Sequence, residues 1–112
     1  MDTVSKLDFD KNFGKIFKEY RIKSGLTQEK VAEELNISLK YISRIENGYN
    51  GIKSQTLVKA MNLLGFPPDI VYKDFLTHPS VKKNIELAEK INSLSDEKKN
   101  FVSSIIDLVK DL

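Results

Sequence analysis

The chain has no cysteine and one histidine in 112 residues. Without cysteine there is no disulfide framework, no thiol nucleophile and no cysteine-based zinc or iron–sulfur site. His78 alone offers little to histidine catalysis or to a multi-histidine metal site, so no cofactor is expected. No apolar run approaches the ~20 residues of a membrane-spanning helix. The opening residues Met1-Asp2-Thr3-Val4-Ser5 have neither a basic stretch nor an apolar one, so no export signal is expected and a cytoplasmic protein is. No glycine-rich phosphate loop is present, and no serine, carboxylate or tyrosine stands in a recognisable catalytic spacing, so an enzyme is not expected.

What is present is an ordinary globular composition, 40% hydrophobic and 30% charged, enough for one domain or a small domain with an appendage. The net charge of +2 is small, but it is unevenly spread. Residues 1–65 hold 11 Lys+Arg against 8 Asp+Glu, and residues 66–112 hold 7 against 8, together the 18 and 16 of the chain. Lys11, Lys15, Lys18, Arg21 and Lys23 form the tightest basic cluster, opposed there only by Glu19. A local basic face beside a neutral remainder suits a polyanionic partner, although a charge cluster alone is as easily a solvated helix face.

Residues 1–10 are polar and aperiodic and are expected to be a flexible lead-in. From Asn12 the apolar spacing is helical, with Phe13, Ile16, Phe17 and Tyr20 on one face, and Ser24-Gly25 ends the run. Thr27 suits an N-cap of a second helix lined by Val31, Ala32 and Leu35. Asn36 tolerates the left-handed conformation needed at a tight turn. Ser38 caps a third helix with Ile42 and Ile45 inward, stopped by Asn47-Gly48, and Tyr49-Asn50-Gly51 reads as loop. Ser54 is the expected cap of a fourth helix bearing Leu57, Val58, Ala60, Met61 and Leu64. A short fifth helix is expected to hold Ile70, Val71, Phe75 and Leu76. Beyond His78-Pro79-Ser80 lie two further helical patterns joined at Ser93-Leu94-Ser95. No segment alternates like a strand.

The pair at 27–35 and 38–47 has the layout of a helix-turn-helix, in which the second helix enters the DNA major groove. The run Leu26-Thr27-Gln28-Glu29-Lys30-Val31-Ala32-Glu33-Glu34-Leu35-Asn36-Ile37-Ser38, followed by Ile42-Ser43-Arg44-Ile45-Glu46-Asn47-Gly48, resembles the phage-repressor (Cro/C1, XRE) helix-turn-helix family. The resemblance runs from about Phe13 to Phe66. It departs from the family pattern at Asn36, where glycine is commoner, at Val31 for leucine, at the apolar Leu39, and in a slightly longer loop from Tyr49 to Lys53. It implies an all-α fold: a five-helix lambda-repressor-like domain at 11–77 that binds DNA, followed by a C-terminal helical hairpin at 78–112.

The resemblance also implies roles. Gln28 would touch a phosphate and brace the third helix. Leu39, Lys40, Ser43 and Arg44 share one exposed face, whose positions in the family read base edges. Arg44 or Lys40 can donate to guanine O6 and N7, or can contact phosphate alone. Tyr41 would pack on the scaffold with its hydroxyl towards a phosphate, and Ser38 would cap the helix and also reach one. Asn47, Lys53, Ser54 and Gln55 would flank the DNA backbone, or would be plain surface. Arg21 would bond Glu46 and fix the third helix to the scaffold.

The last helix is too apolar for a free surface helix. Phe101, Val102, Ile105, Ile106, Leu108, Val109 and Leu112 cover more than one stripe, and burying each large side chain is worth about 1.5–3 kcal/mol. The hairpin is therefore expected to dimerise through Phe101, Val102, Ile105, Ile106 and Val109, forming a homodimer on a palindromic double-stranded DNA operator. The expected function is a sequence-specific transcriptional regulator, a repressor by occlusion. The alternative is an antitoxin-like or protein-interaction module whose C-terminal helices hold an inhibitor or another protein. No membrane partner is expected.

Overall fold

The computed structural model of the chain describes residues 5–112. Among the described residues there are seven α-helices and no strand. Five belong to one compact unit ending at Phe75: α1 (Lys6–Lys23), α2 (Gln28–Leu35), α3 (Leu39–Glu46), α4 (Ser54–Leu64) and α5 (Pro68–Tyr72). Two more, α6 (Pro79–Asn92) and α7 (Asp96–Lys110), form a second unit from Leu76 onward.

The first unit closes around one apolar core. Phe13 and Phe17 of α1, Val31 and Leu35 of α2, Ile42 and Ile45 of α3, Ala60 and Leu64 of α4, and Val71 of α5 are all buried. Phe66 joins them, with its ring centroid 6.1 Å from that of Phe13 and 5.8 Å from that of Tyr20, both edge-on. These are the helical stripes read from the sequence, and they meet because each helix offers only one apolar face.

Local chemistry sets the helix ends. The Thr27 hydroxyl accepts from the Lys30 amide at 3.0 Å, and that of Ser38 from the Tyr41 amide at 3.0 Å. Each satisfies an amide that the first helical turn leaves without a carbonyl. Between these caps Asn36 takes φ 54°, ψ 47°, and the Ile37 amide returns to the Ala32 carbonyl at 3.0 Å. That left-handed residue reverses the chain between α2 and α3.

The structure corrects several boundaries. The expected lead-in at 1–10 is helical from Lys6 onward, with Ser5 as N-cap, and residues 1–4 lie outside the described residues. Phe9 supplies the reason. It continues the apolar face one turn before Phe13 and meets the ring of Phe75 at 5.1 Å and that of Tyr72 at 5.8 Å. Asp10 is buried and accepts from Lys6 Nζ at 3.0 Å. Charged neighbours hid this turn in the sequence. The cap of α4 is Lys53, with no side-chain bond, and Ser54 is the first helical residue. Phe75 and Leu76 fall beyond α5, which ends at Tyr72. His78 caps α6, its Nδ1 accepting from the Ser80 amide at 3.3 Å.

Gly14 occupies the crossing of α1 and α3. A Cβ there would run into the Ile45 and Glu46 carbonyl oxygens. Helix propensity alone makes Gly→Ala stabilising by about 0.5–1 kcal/mol. Gly14→Ala is instead expected to destabilise by about 1–3 kcal/mol, because backbone oxygens cannot rotate away as a side chain can. A rise in denaturation midpoint would contradict this packing.

Candidate nucleic-acid interface

The third helix has two faces of different chemistry. Ile42 and Ile45 are wholly buried. Lys40 and Arg44 are exposed, Leu39 is exposed beside them, and Ser43 is half-buried. An eight-residue helix with only its core side anchored leaves the other side free to enter a groove.

Glu46 is the only acid on this helix, and it is turned inward and neutralised. Arg21 Nε donates to its Oε2 at 2.6 Å and Arg21 Nη2 to its Oε1 at 3.0 Å. The Glu46 side chain is 2% exposed and that of Arg21 12%. Arg21 Nη1 also donates to the Leu26 carbonyl at 2.9 Å, tying the start of the helix pair to the end of α1. The hydrogen bond to Glu46, followed by that carboxylate's charge, raises the Arg21 pKa above its ordinary value against the opposing effect of burial. With its carboxylate sequestered, the charges on the exposed face of α3 are all positive.

Gln28 joins the same cluster through a bond that sequence spacing could not supply. Its Nε2 donates to Glu46 Oε1 at 3.0 Å. An amide nitrogen has two protons, so the second is not committed to Glu46. Gln28, Arg21 and Glu46 thus bind α1, α2 and α3 into one frame. On α2, Glu34 and Glu33 surround Lys30, whose pKa is raised first by its bond to Glu34.

The remaining predicted residues separate by their partners. The Tyr41 hydroxyl donates to the Gly51 carbonyl at 3.0 Å, so its proton holds the loop after α3. Asn47 Nδ2 donates to the Ser43 carbonyl at 2.9 Å and approaches its Oγ at 3.4 Å. Ser38 uses its oxygen as the cap and keeps its proton. Lys53 and Gln55 are exposed at the start of α4.

Sequence reasoning overlooked Tyr49 and Asn50, which read only as loop. The Arg44 guanidinium carbon lies 5.5 Å from the centre of the Tyr49 ring. The Asn50 amide, oriented so that its oxygen faces a donor and its nitrogen an acceptor, accepts from Arg44 Nε at 3.1 Å and donates to the Tyr49 carbonyl at 2.9 Å. An exposed aromatic directly after a helix-stopping glycine was the available signal.

In the second unit the predicted apolar residues are displayed rather than buried. Phe101, Ile105, Ile106 and Val109 are exposed, and Val102 is half-buried. No residue of α6 or α7 is fully buried.

Two capped helices across a left-handed turn, the second presenting cations outward and anchored by a buried ion pair, define a helix-turn-helix domain of the kind that transcription regulators use on DNA. Comparison with known proteins agrees. The helix-turn-helix family profile matches residues 17–71. Over 89 residues the chain is 35% identical to the HTH-type transcriptional regulator ImmR of Bacillus subtilis (strain 168), covering 77% of this chain and 70% of that protein. The crystal structure of the clp gene regulator ClgR from C. glutamicum shares the fold with a TM-score of 0.52 at 25% identity, over 56% of this chain and 82% of that one. The chain belongs to the XRE-type helix-turn-helix family of transcriptional regulators. No helix among the described residues is long and apolar enough to cross a membrane.

Proposed function

We propose that the protein is a sequence-specific repressor that binds a palindromic operator as a homodimer, with α3 in the major groove. The observation that carries the reading is the exposed Lys40–Arg44 face of α3, left without an opposing negative charge by the inward Glu46 pair. Arg44 and Lys40 donate to base edges. Gln28, Ser38, Lys53 and Gln55 hold phosphates on either side, which sets register without reading sequence. Ser43 and Asn47 act from the same side of the helix, and Leu39 meets a thymine methyl. Tyr41 contributes through the loop it anchors.

The second copy docks on the hairpin. Phe101 is 68% exposed and Leu108 65%, and an exposed apolar face of this kind marks an interaction surface. A two-fold dimer then places two recognition helices about 34 Å apart, one turn of DNA. Repression follows by occupying the site, because bound protein excludes other proteins from the same duplex.

Selection of bound duplexes from a random pool tests this reading. A two-fold symmetric motif with half-sites one turn apart is expected, and log affinity should fall with log salt by about 0.9 per phosphate contacted. A flat salt response with no enriched motif would overturn it and leave the exposed hairpin as the working surface of a protein-interaction module.

A further inference from the structure

We propose that Tyr49 and Asn50 are positioning residues that set the Arg44 guanidinium before DNA arrives and commit it to one mode of guanine recognition. The inference rests on the reading of α3 as the groove element and goes beyond it, because neither residue lies on that helix.

An arginine on an exposed helix carries much rotamer freedom, and ordering it on a base opposes binding. Here that freedom is already reduced. The Tyr49 ring lies beside the guanidinium at 5.5 Å, within the range of a cation–π attraction. The Asn50 oxygen holds Nε at 3.1 Å while its nitrogen holds the Tyr49 carbonyl at 2.9 Å. The Tyr49 amide donates back to the Arg44 carbonyl at 2.9 Å. The three residues therefore close on one another through side chain and backbone.

The loop that carries them is fixed from below. Gly48 adopts φ +78°, and a Cβ there would come within 2.9 Å of the Lys11 Cα. Gly51 accepts the Tyr41 hydroxyl at 3.0 Å. Tyr49, between these anchors, is 66% exposed and absent from the core. Arg44 is the one aromatic or cationic contact its ring makes among the described residues.

The chemistry of the fork gives the consequence. Arginine can meet guanine O6 and N7 either end-on, through Nη1 and Nη2, or side-on, through Nε and one Nη. Asn50 occupies Nε, so the side-on mode is taken and the end-on pair remains. One guanine per half-site should be specified by a guanidinium that is already oriented, and losing the platform should blur that position without weakening contacts to phosphate.

The test compares binding to the duplex selected above with binding to a scrambled duplex at the same salt. Tyr49→Ala should weaken binding to the selected duplex about three- to fivefold, the size of an exposed cation–π contact. It should flatten the guanine preference at one position and change binding to the scrambled duplex by less than about twofold. Tyr49→Phe, which keeps the ring, should restore the preference. Tyr49→Leu, which keeps bulk without a π face and guards against loop collapse, should not. In an Arg44→Ala background Tyr49→Ala should have no further effect, since positioning needs something to position. Equal losses with and without Arg44 would overturn the proposal and make Tyr49 a direct DNA contact. So would equal losses on both duplexes, or a Tyr49→Phe variant as impaired as Tyr49→Ala. A selected motif that is bound through Lys40 and unmoved by Arg44→Ala would overturn this inference alone. Failure of the unaltered protein to select any motif would overturn the proposed function itself.

Discussion

Glutamates at Ile105 and Val109 are expected to leave the protein monomeric and to weaken binding to a two-half-site operator by about a hundredfold or more, the scale of lost bivalency. The two side chains are 43% and 56% exposed in the isolated chain. In a two-fold interface each substitution appears twice. Two changes would therefore bury four carboxylates where apolar groups had met, each opposed by a desolvation penalty of several kcal/mol. Binding to a duplex carrying one half-site should change little, because the altered residues belong to the second compact unit and the candidate interface to the first. Sedimentation equilibrium reads the mass, and paired titrations with one and two half-sites read the bivalency. A monomeric mass for the unaltered protein at micromolar concentration would refute the homodimer and assign the apolar face to another protein. If the dimer holds, a competitor that captured the hairpin would also release DNA, since operator affinity depends on pairing.

Arg21→Ala is expected to lower stability by about 3–5 kcal/mol, the usual effect of removing one partner from a buried ion pair. For a unit of this size that corresponds to a fall in Tm of about 12 °C or more. The Glu46 carboxylate would keep only Gln28 as donor, and the Leu26 carbonyl would lose its partner. DNA affinity should fall with stability, because the pair holds the C-terminal end of α3. Loss of DNA affinity with an unchanged Tm would refute the scaffold role and make Arg21 a DNA contact. Arg21→Lys should recover only part of the loss, since one ammonium cannot reproduce the fork on Glu46 and the bond to Leu26 together. The arginine pKa is raised in the fold, so the stability it contributes is fully present below the ordinary arginine range and is lost only as pH rises through the raised value. No arginine-linked loss is therefore expected anywhere in the neutral range.

Much of this architecture was legible in advance because it is local. Thr27 and Ser38 announce their helices through side chains that bond amides three residues on. Asn36 marks the turn through its own backbone preference, and Ile42 and Ile45 mark the inner face of α3 through spacing alone. The Arg21–Glu46 pair came from resemblance to a family, because 25 residues separate the partners and no periodicity links them. The misplaced features are those that depend on distant neighbours. The first turn of α1 reads as polar and aperiodic in the sequence, and becomes helix where Phe75 and Tyr72 cover Phe9. Nothing in its own helix assigns Gly14 a role, and only the Ile45 and Glu46 carbonyls, which fill the space a Cβ would need, supply one.

The amino-acid order alone therefore established an all-helical chain, the caps of α2 and α3 and the turn between them, the inward faces of its short helices and an unusually apolar last helix. Those properties arise from interactions within one or two helical turns. Only the folded arrangement disclosed that Gln28 shares the Glu46 carboxylate, that Tyr41 holds Gly51, and that Tyr49 and Asn50 surround Arg44. Each of these depends on where separate segments come to rest, and that is decided by burial of the common core rather than by any segment's own preference.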